Sequence, residues 1–481
     1  MISKIKSFLF ENQTLKQTIA KNTFWLFFGQ IFGRLLRAGL IIYAARVLGP
    51  SSWGAFSYVM TLVAFMTILS DMRMGAIVTP ESAKNPEFSK KYFSTVFCIK
   101  LVLLTVGMLL LIFGAPYLTN IPEAQTLLPL AALILFFDGL RNFGFVISRA
   151  KEKMQLEALN EITTNFLITV LGLLFLYLIP TSQSLAIAYI NGVAIGFLAV
   201  LLALKEHFYS SLANFDKTLI KPIINASLPF ALASFLGAIM INTDLIMIGW
   251  MRSADEVGFY SAAQKPVQIF YTIASLFAVS IFPALTKTLK DGLGGGKRIL
   301  EKAVSMSLLA AIPLSLGGII LGDQIINLVF GSQYSAATAS FQILMITILI
   351  IFPSVIVSNS ILAHEKQKSF IAFSMIGAIG NIIFNFLLIP AFGIAGASAS
   401  TVITQILANY FIWKKMQSVN PFSVLPNIKK MIFAGIIMAI FTLILKFIGT
   451  PLLINIFVSA GIYFLLLKFQ KEKLFLSLRG L

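Results

Sequence analysis

Apolar residues fill most of the chain in runs of roughly 20, the length of helix that crosses a bilayer, and short polar stretches separate them. Fourteen such segments are legible, at 23–45, 54–72, 93–114, 124–148, 159–180, 184–204, 226–250, 258–285, 303–325, 338–363, 369–390, 393–413, 429–448 and 451–469. The pattern predicts an all-α polytopic membrane protein. Ahead of the first segment, Lys4, Lys6, Lys16 and Lys21 stand among Ile5, Phe8, Leu9 and Phe10, which reads as an interfacial amphipathic arm over 1–22 rather than a cleaved signal.

Composition strengthens this. Of 481 residues, 58% are hydrophobic and 12% charged, against about 25% charged in a soluble domain. That excludes a water-soluble enzyme and a protein with a single anchor. The net charge of +18, from 37 Lys and Arg against 19 Asp and Glu, asks for a membrane explanation rather than a nucleic-acid partner. With the N-terminus inside, 29 of the 37 basic residues fall in the N-terminal arm, the six inner loops and the C-terminal tail. Only Arg46, Arg252 and Lys446 lie on the outer side. Both termini are therefore expected in the cytoplasm of an inner-membrane protein. Cys98 is the only cysteine, and His207 and His364 are far apart, so neither a disulfide nor a zinc site is expected, and no cofactor.

An internal repeat is visible. A shift of 204 residues lays Gly54-Ala55-Phe56-Ser57 on Gly258-Phe259-Tyr260-Ser261, and Leu178-Ile179-Pro180 recurs as Leu388-Ile389-Pro390 at a similar offset. Segments 1–6 and 7–12 thus read as two copies of one orientation, related by a pseudo-two-fold axis along the membrane normal, with a transport path between lobes. The expected organisation is an arm at 1–22, one lobe at 23–205, an inner linker at 206–225, a second lobe at 226–415, and two further helices with a cytoplasmic tail at 416–481.

Three stretches carry a family resemblance: Ala45-Arg46-Val47-Leu48-Gly49-Pro50 with Gly54; Asp244 to Gly249 leading to Val257–Ala263; and Asn381 with Leu388-Ile389-Pro390, Gly393–Ala397 and Thr401. From about residue 20 to 415 the chain resembles the polysaccharide-transport branch of the multidrug/oligosaccharidyl-lipid/polysaccharide exporter superfamily. The resemblance implies a V-shaped fourteen-helix flippase for a polyprenyl-diphosphate-linked oligosaccharide, of the O-antigen or capsule type. Its partners would be that substrate, membrane lipids and other polysaccharide-assembly enzymes. Where the family usually has Asp-Leu-Gly-Leu at the end of the second segment, this chain has Asp71-Met72-Arg73-Met74.

Ionisable residues inside a membrane segment cost several kcal/mol and are functional candidates. Gln30, Arg34 and Arg37 follow i, i+4, i+7 spacing and share one helical face with no acid in the same segment. Guanidinium forks suit diphosphate oxygens, and an ungapped overlay places Arg34 on an arginine of the similar lipid II flippases. Asp138 and Arg141 are an i, i+3 pair that can neutralise itself or line a cavity. Lys265, just before Pro266, is a second candidate anion contact or a snorkelling lysine. Asn242 and Asp244 lie in the seventh segment, where the overlay sets Asp244 opposite Leu40, so that Asp244 is a candidate for cation or proton coupling, or for a permanent ion pair. Asn381 and Asn385, at i, i+4, suit interhelical hydrogen bonding or sugar contact.

Gly292-Leu293-Gly294-Gly295-Gly296-Lys297 mimics a phosphate loop, but Arg298 replaces the required hydroxyl residue, and a flexible inner loop is expected there. A cation-coupled multidrug exporter of the same fold is the alternative function; it would favour acidic cavity residues over arginines. A membrane-embedded polymerase or ligase would need a sizeable outer loop with paired carboxylates or a histidine, whereas the outer loops here hold at most about a dozen residues. A scaffold gives no reason for intramembrane arginines.

Overall fold

A computed structural model describes residues 15–84, 89–290, 293–364 and 366–470, and among them every regular element is helical. The principal helices are α1 (Leu15–Asp71), α2 (Gly75–Lys84), α3 (Ser89–Leu109), α4 (Pro122–Ala150), α5 (Met154–Leu178), α6 (Ser182–Ala203), α7 (Lys205–Ala213), α8 (Ile220–Met251), α9 (Ala254–Lys290), α10 (Leu293–Ile320), α11 (Gly322–Phe330), α12 (Thr338–Ala363), α13 (Gln367–Val419), α14 (Leu425–Phe447) and α15 (Leu452–Phe469).

Among the described residues, twelve helices are long and apolar enough to cross a membrane. Two of these hold 51 and 52 qualifying residues, about 75 Å at 1.5 Å per residue and more than twice the roughly 30 Å hydrocarbon core. Each is interrupted once. Gly49 in α1 (φ 73°) and Gly393 in α13 (φ 54°) take left-handed backbone, which glycine adopts without a Cβ clash, and Pro50 follows the first as a pre-set helix start. Divided there, α1 and α13 supply two spans each, and the fourteen apolar segments of the sequence are recovered.

Other boundaries differ. The helix of the first span already runs from Leu15, while residues 1–14 of the expected arm lie outside the described residues. The 206–225 stretch is largely helical, through α7 and the start of α8. The glycine run is not the expected loop: α10 starts at Leu293 and takes in Gly294–Gly296. Glycine disfavours a helix interior by only about 1 kcal/mol, which the apolar helix that follows outweighs.

Two compact units divide the chain, the first reaching Ala238 with Ser253–Asp255, the second comprising Ile239–Arg252 and residues from Glu256 onward. In the first, α1, α4, α5 and α6 pack around buried Leu40, Ala44, Leu135, Ile168 and Val193. In the second, one core joins α9, α10, α12 and α13 through Leu300, Val304, Ile356 and Ile412. The two helices outside the repeat, α14 and α15, are fastened to α10 by Leu309, Ile312, Met431, Met438, Tyr463 and Leu467.

Candidate functional site

Close helix packing builds the arginine site of the first unit. Gly29 and Gly33 lie one turn apart on α1, and a Cβ on Gly29 would come within 2.8 Å of the Ala158 backbone on α5, while one on Gly33 would come within 2.7 Å of the Asn165 amide. Small residues four apart let two helices approach this closely. The approach sets the next residues on α1, Gln30 and Arg34, into a cleft of 240 Å³ lined also by Asn142, Phe145, Arg149, Glu157 and Glu161. Both acids in it are held by other arginines. Arg149 makes a bidentate pair with Glu157 at 2.5 and 2.7 Å, and Arg141 Nη1 reaches Glu161 at 2.9 Å.

Arg141 is only 5% exposed. Its other nitrogens grip Asp138 Oδ1 at 2.7 and 3.1 Å, and Asn142 donates to Asp138 Oδ2 at 3.0 Å. Any anion reaching Arg141 must displace these carboxylates, so its first role is to hold α4 against α5. Arg37, a turn beyond Arg34, lies 5.6 Å from the centre of the Tyr189 ring, and its Nε is buried with no hydrogen-bond acceptor. This region of the unit thus collects four arginines, Arg34, Arg37, Arg141 and Arg149, against three acids, Asp138, Glu157 and Glu161. Among these named groups the arginines outnumber the acids by one.

The second unit buries an acid instead. Asp244 on α8 is 1% exposed. Its Oδ1 accepts from Asn381 at 2.9 Å and Asn385 at 2.7 Å, and its Oδ2 accepts from Thr401 at 2.7 Å and Tyr260 at 2.5 Å. All four partners are neutral. The turn after Pro390 makes this convergence possible: Gly393 is left-handed, and a Cβ on Gly396 would meet the Leu388 carbonyl at 2.2 Å. The two halves of α13 therefore double back tightly, placing Asn381 and Asn385 on one limb and Thr401 on the other. Gly396→Ala is expected to force the limbs apart, lowering stability by about 1–3 kcal/mol, as for overpacking elsewhere; thermal unfolding of the purified protein in detergent measures it. Asn242 and Lys265 are half-buried in the same unit and are not among the hydrogen-bond partners of Asp244.

The sequence reading missed Glu161, Arg149, Glu157, Tyr189 and Tyr260 as site residues. Glu161 carried a signal, being an acid inside the fifth apolar segment. Tyr260 fell inside the repeated Gly258–Ser261 stretch without a role attached to it, and Tyr189 carried no signal beyond aromatic character.

Residues 19–289 match the polysaccharide biosynthesis protein family. The chain belongs to that family. Among its relatives, a capsular polysaccharide biosynthesis protein of Staphylococcus aureus, CapF, is 22% identical over 83% of this chain and all of its own length. A probable low-salt glycan biosynthesis flippase of Haloferax volcanii, Agl15, is 24% identical over 93% of each chain. Among solved structures, the lipid II flippase MurJ in an inward closed conformation superposes with a TM-score of 0.76 at 17% identity, over 94% of this chain and 99% of that one. An inward-facing multidrug resistance transporter of the MATE family follows with a TM-score of 0.64 at 16% identity, over 80% and 94%. This polysaccharide biosynthesis protein thus shares the fold of both flippases and drug exporters, and its own residues must separate the two.

Proposed function

We propose that the chain is a flippase that moves a polyprenyl-diphosphate-linked oligosaccharide repeat unit from the inner to the outer leaflet by alternating access, for cell-surface polysaccharide export. The observation that carries this reading is the surplus of arginine in the first unit. Four guanidinium groups against three carboxylates suit an anionic ligand and repel the cationic compounds that a drug exporter would carry. Flippase names among the relatives point the same way.

In this mechanism Arg34, with Gln30 beside it in the polar cleft, receives the diphosphate, its guanidinium fork matching the phosphate oxygens. Sugars stay in water and the polyprenyl tail stays in lipid. An inside-negative potential favours outward movement by about 2.3 kcal/mol per charge per 100 mV, or roughly 4–5 kcal/mol for a diphosphate with two charges. Asp244 supplies the coupling step. Its carboxylate takes up a proton or a small cation, and the cycle is biased by whether that site is filled. The termini and the basic loops face the cytoplasm, where enzymes that build the repeat unit can dock.

Complementation tests the reading. Wild type is expected to restore surface polysaccharide in a strain lacking its own repeat-unit flippase, whereas Arg34→Ala at matched membrane levels restores less than a tenth. Full restoration by Arg34→Ala would remove the diphosphate role from this arginine.

A further inference from the structure

A second concavity in the first unit lies on a different set of helices from the arginine cleft. Its walls are Leu69 and Met72 at the end of α1, Val106 on α3 with Leu110 just beyond it, and Leu232 and Phe235 on α8, and its volume is 380 Å³. The lining is almost wholly apolar. Ser70 is the polar residue in it, and its hydroxyl is already donated to the Leu103 carbonyl.

Arg73 stands next to this groove. Its Nε donates to Ser234 Oγ at 2.9 Å, tying the end of α1 to α8 beside Phe235. Its side chain is exposed, and among the described residues no carboxylate pairs with it and no acceptor engages its terminal nitrogens. The nearest acid in sequence, Asp71, is taken by buried Lys100 at 2.6 Å. Both Met72 (φ 44°) and Arg73 (φ 53°) are left-handed, a conformation that glycine takes at least cost. An arginine kept there against that preference, half of its fork unused and an apolar groove beside it, has the form of a headgroup contact.

We propose that this groove holds one acyl chain of an anionic glycerophospholipid whose phosphodiester is bound by Arg73. The occupant follows from size and charge. At about 30 Å³ for each water-sized group, the groove takes about a dozen, which suits a single acyl chain and falls far short of a polyprenyl tail. One guanidinium matches the single charge of a phosphodiester, while a diphosphate calls for the richer arginine site described above. With the basic loops inside, as their charge predicts, Arg73 falls on the side whose leaflet carries anionic lipid. Because the groove is walled by α1, α3 and α8, the lipid acts as a removable strut within the first unit.

Native mass spectrometry of the full-length protein in detergent, titrated with phosphatidylglycerol and with phosphatidylcholine of identical chains, tests this. Wild type is expected to bind the first phosphatidylglycerol at least fivefold more tightly than the first phosphatidylcholine. Arg73→Gly, which suits the left-handed backbone, abolishes that preference, and Arg73→Lys keeps part of it. Val106→Trp, at a position 46% exposed on the groove wall, fills the groove and weakens both lipids at least fivefold. The proposal is overturned if wild type binds the two lipids equally, or if Arg73→Gly keeps the preference. It is also overturned if one equivalent of polyprenyl phosphate displaces phosphatidylglycerol from wild type, which would assign the groove to the transported substrate.

Discussion

Arg141→Leu is expected to destabilise the protein by about 3–5 kcal/mol, the cost of removing one partner from a buried ion-pair group. Arg141 is the shared, buried partner of Asp138 and Glu161, and its loss leaves two neighbouring carboxylates without the cation that holds them together. At 481 residues the unfolding midpoint in detergent falls by about 3–5 °C. A combined Arg141→Leu, Asp138→Asn, Glu161→Gln variant recovers most of that loss, because no charge is then left behind. A drop below about 1 kcal/mol for the single variant would mean that the group is solvated and its pairing screened.

The second large effect is on transport. Asp244→Asn is expected to lower surface polysaccharide at least tenfold in complementation while shifting the unfolding midpoint by no more than a few degrees. The reason lies in the partners. The remaining side-chain oxygen still accepts from Asn381 and Asn385, and the hydroxyls of Tyr260 and Thr401 can rotate to accept from the new amide. Hydrogen bonding survives and the charge does not. Asp244→Leu, by contrast, takes the acceptor away from Asn381, Thr401 and Tyr260 and leaves Asn385 only its bond to Asn381, at about 1–3 kcal/mol for each donor left unsatisfied, and should fold poorly. Wild-type transport by Asp244→Asn would take the coupling role away from this residue.

Much of the architecture was legible because a bilayer allows few solutions: a run of about 20 apolar residues has to be a helix. Helical spacing likewise put Gln30, Arg34 and Arg37 on one face, and Asn381 with Asn385. What spacing cannot tell is which helix that face meets. Arg141 read as the partner of Asp138 three residues away; its second partner, Glu161, lies on the next helix and is brought near by packing. Lys100, a cation inside the third apolar segment, pairs with Asp71 twenty-nine positions earlier, which spacing within one segment cannot reveal. The cluster around Asp244 draws on residues up to 157 positions away, and the turn at Gly393 and Gly396 that gathers them is written in two small residues with no polar signature.

The two stretches that the 204-residue overlay aligns differ at the position where one of them carries an ionisable group. Leu40, which the 204-residue overlay sets against Asp244, is 1% exposed and lies against Gly172, where an added Cβ would come within 2.7 Å of it. With the 210-residue offset of the Leu-Ile-Pro pair, Asn381 and Asn385 fall on Leu171 and Phe175. The earlier half therefore seals with hydrocarbon the place where the later half keeps its carboxyl and both amides. A gene fusing two copies of the earlier half would preserve the packing rules and the arginines but encode no group there able to change its charge. Exchanging one aligned stretch for the other would therefore cost the chain its buried carboxyl even where the packing survived.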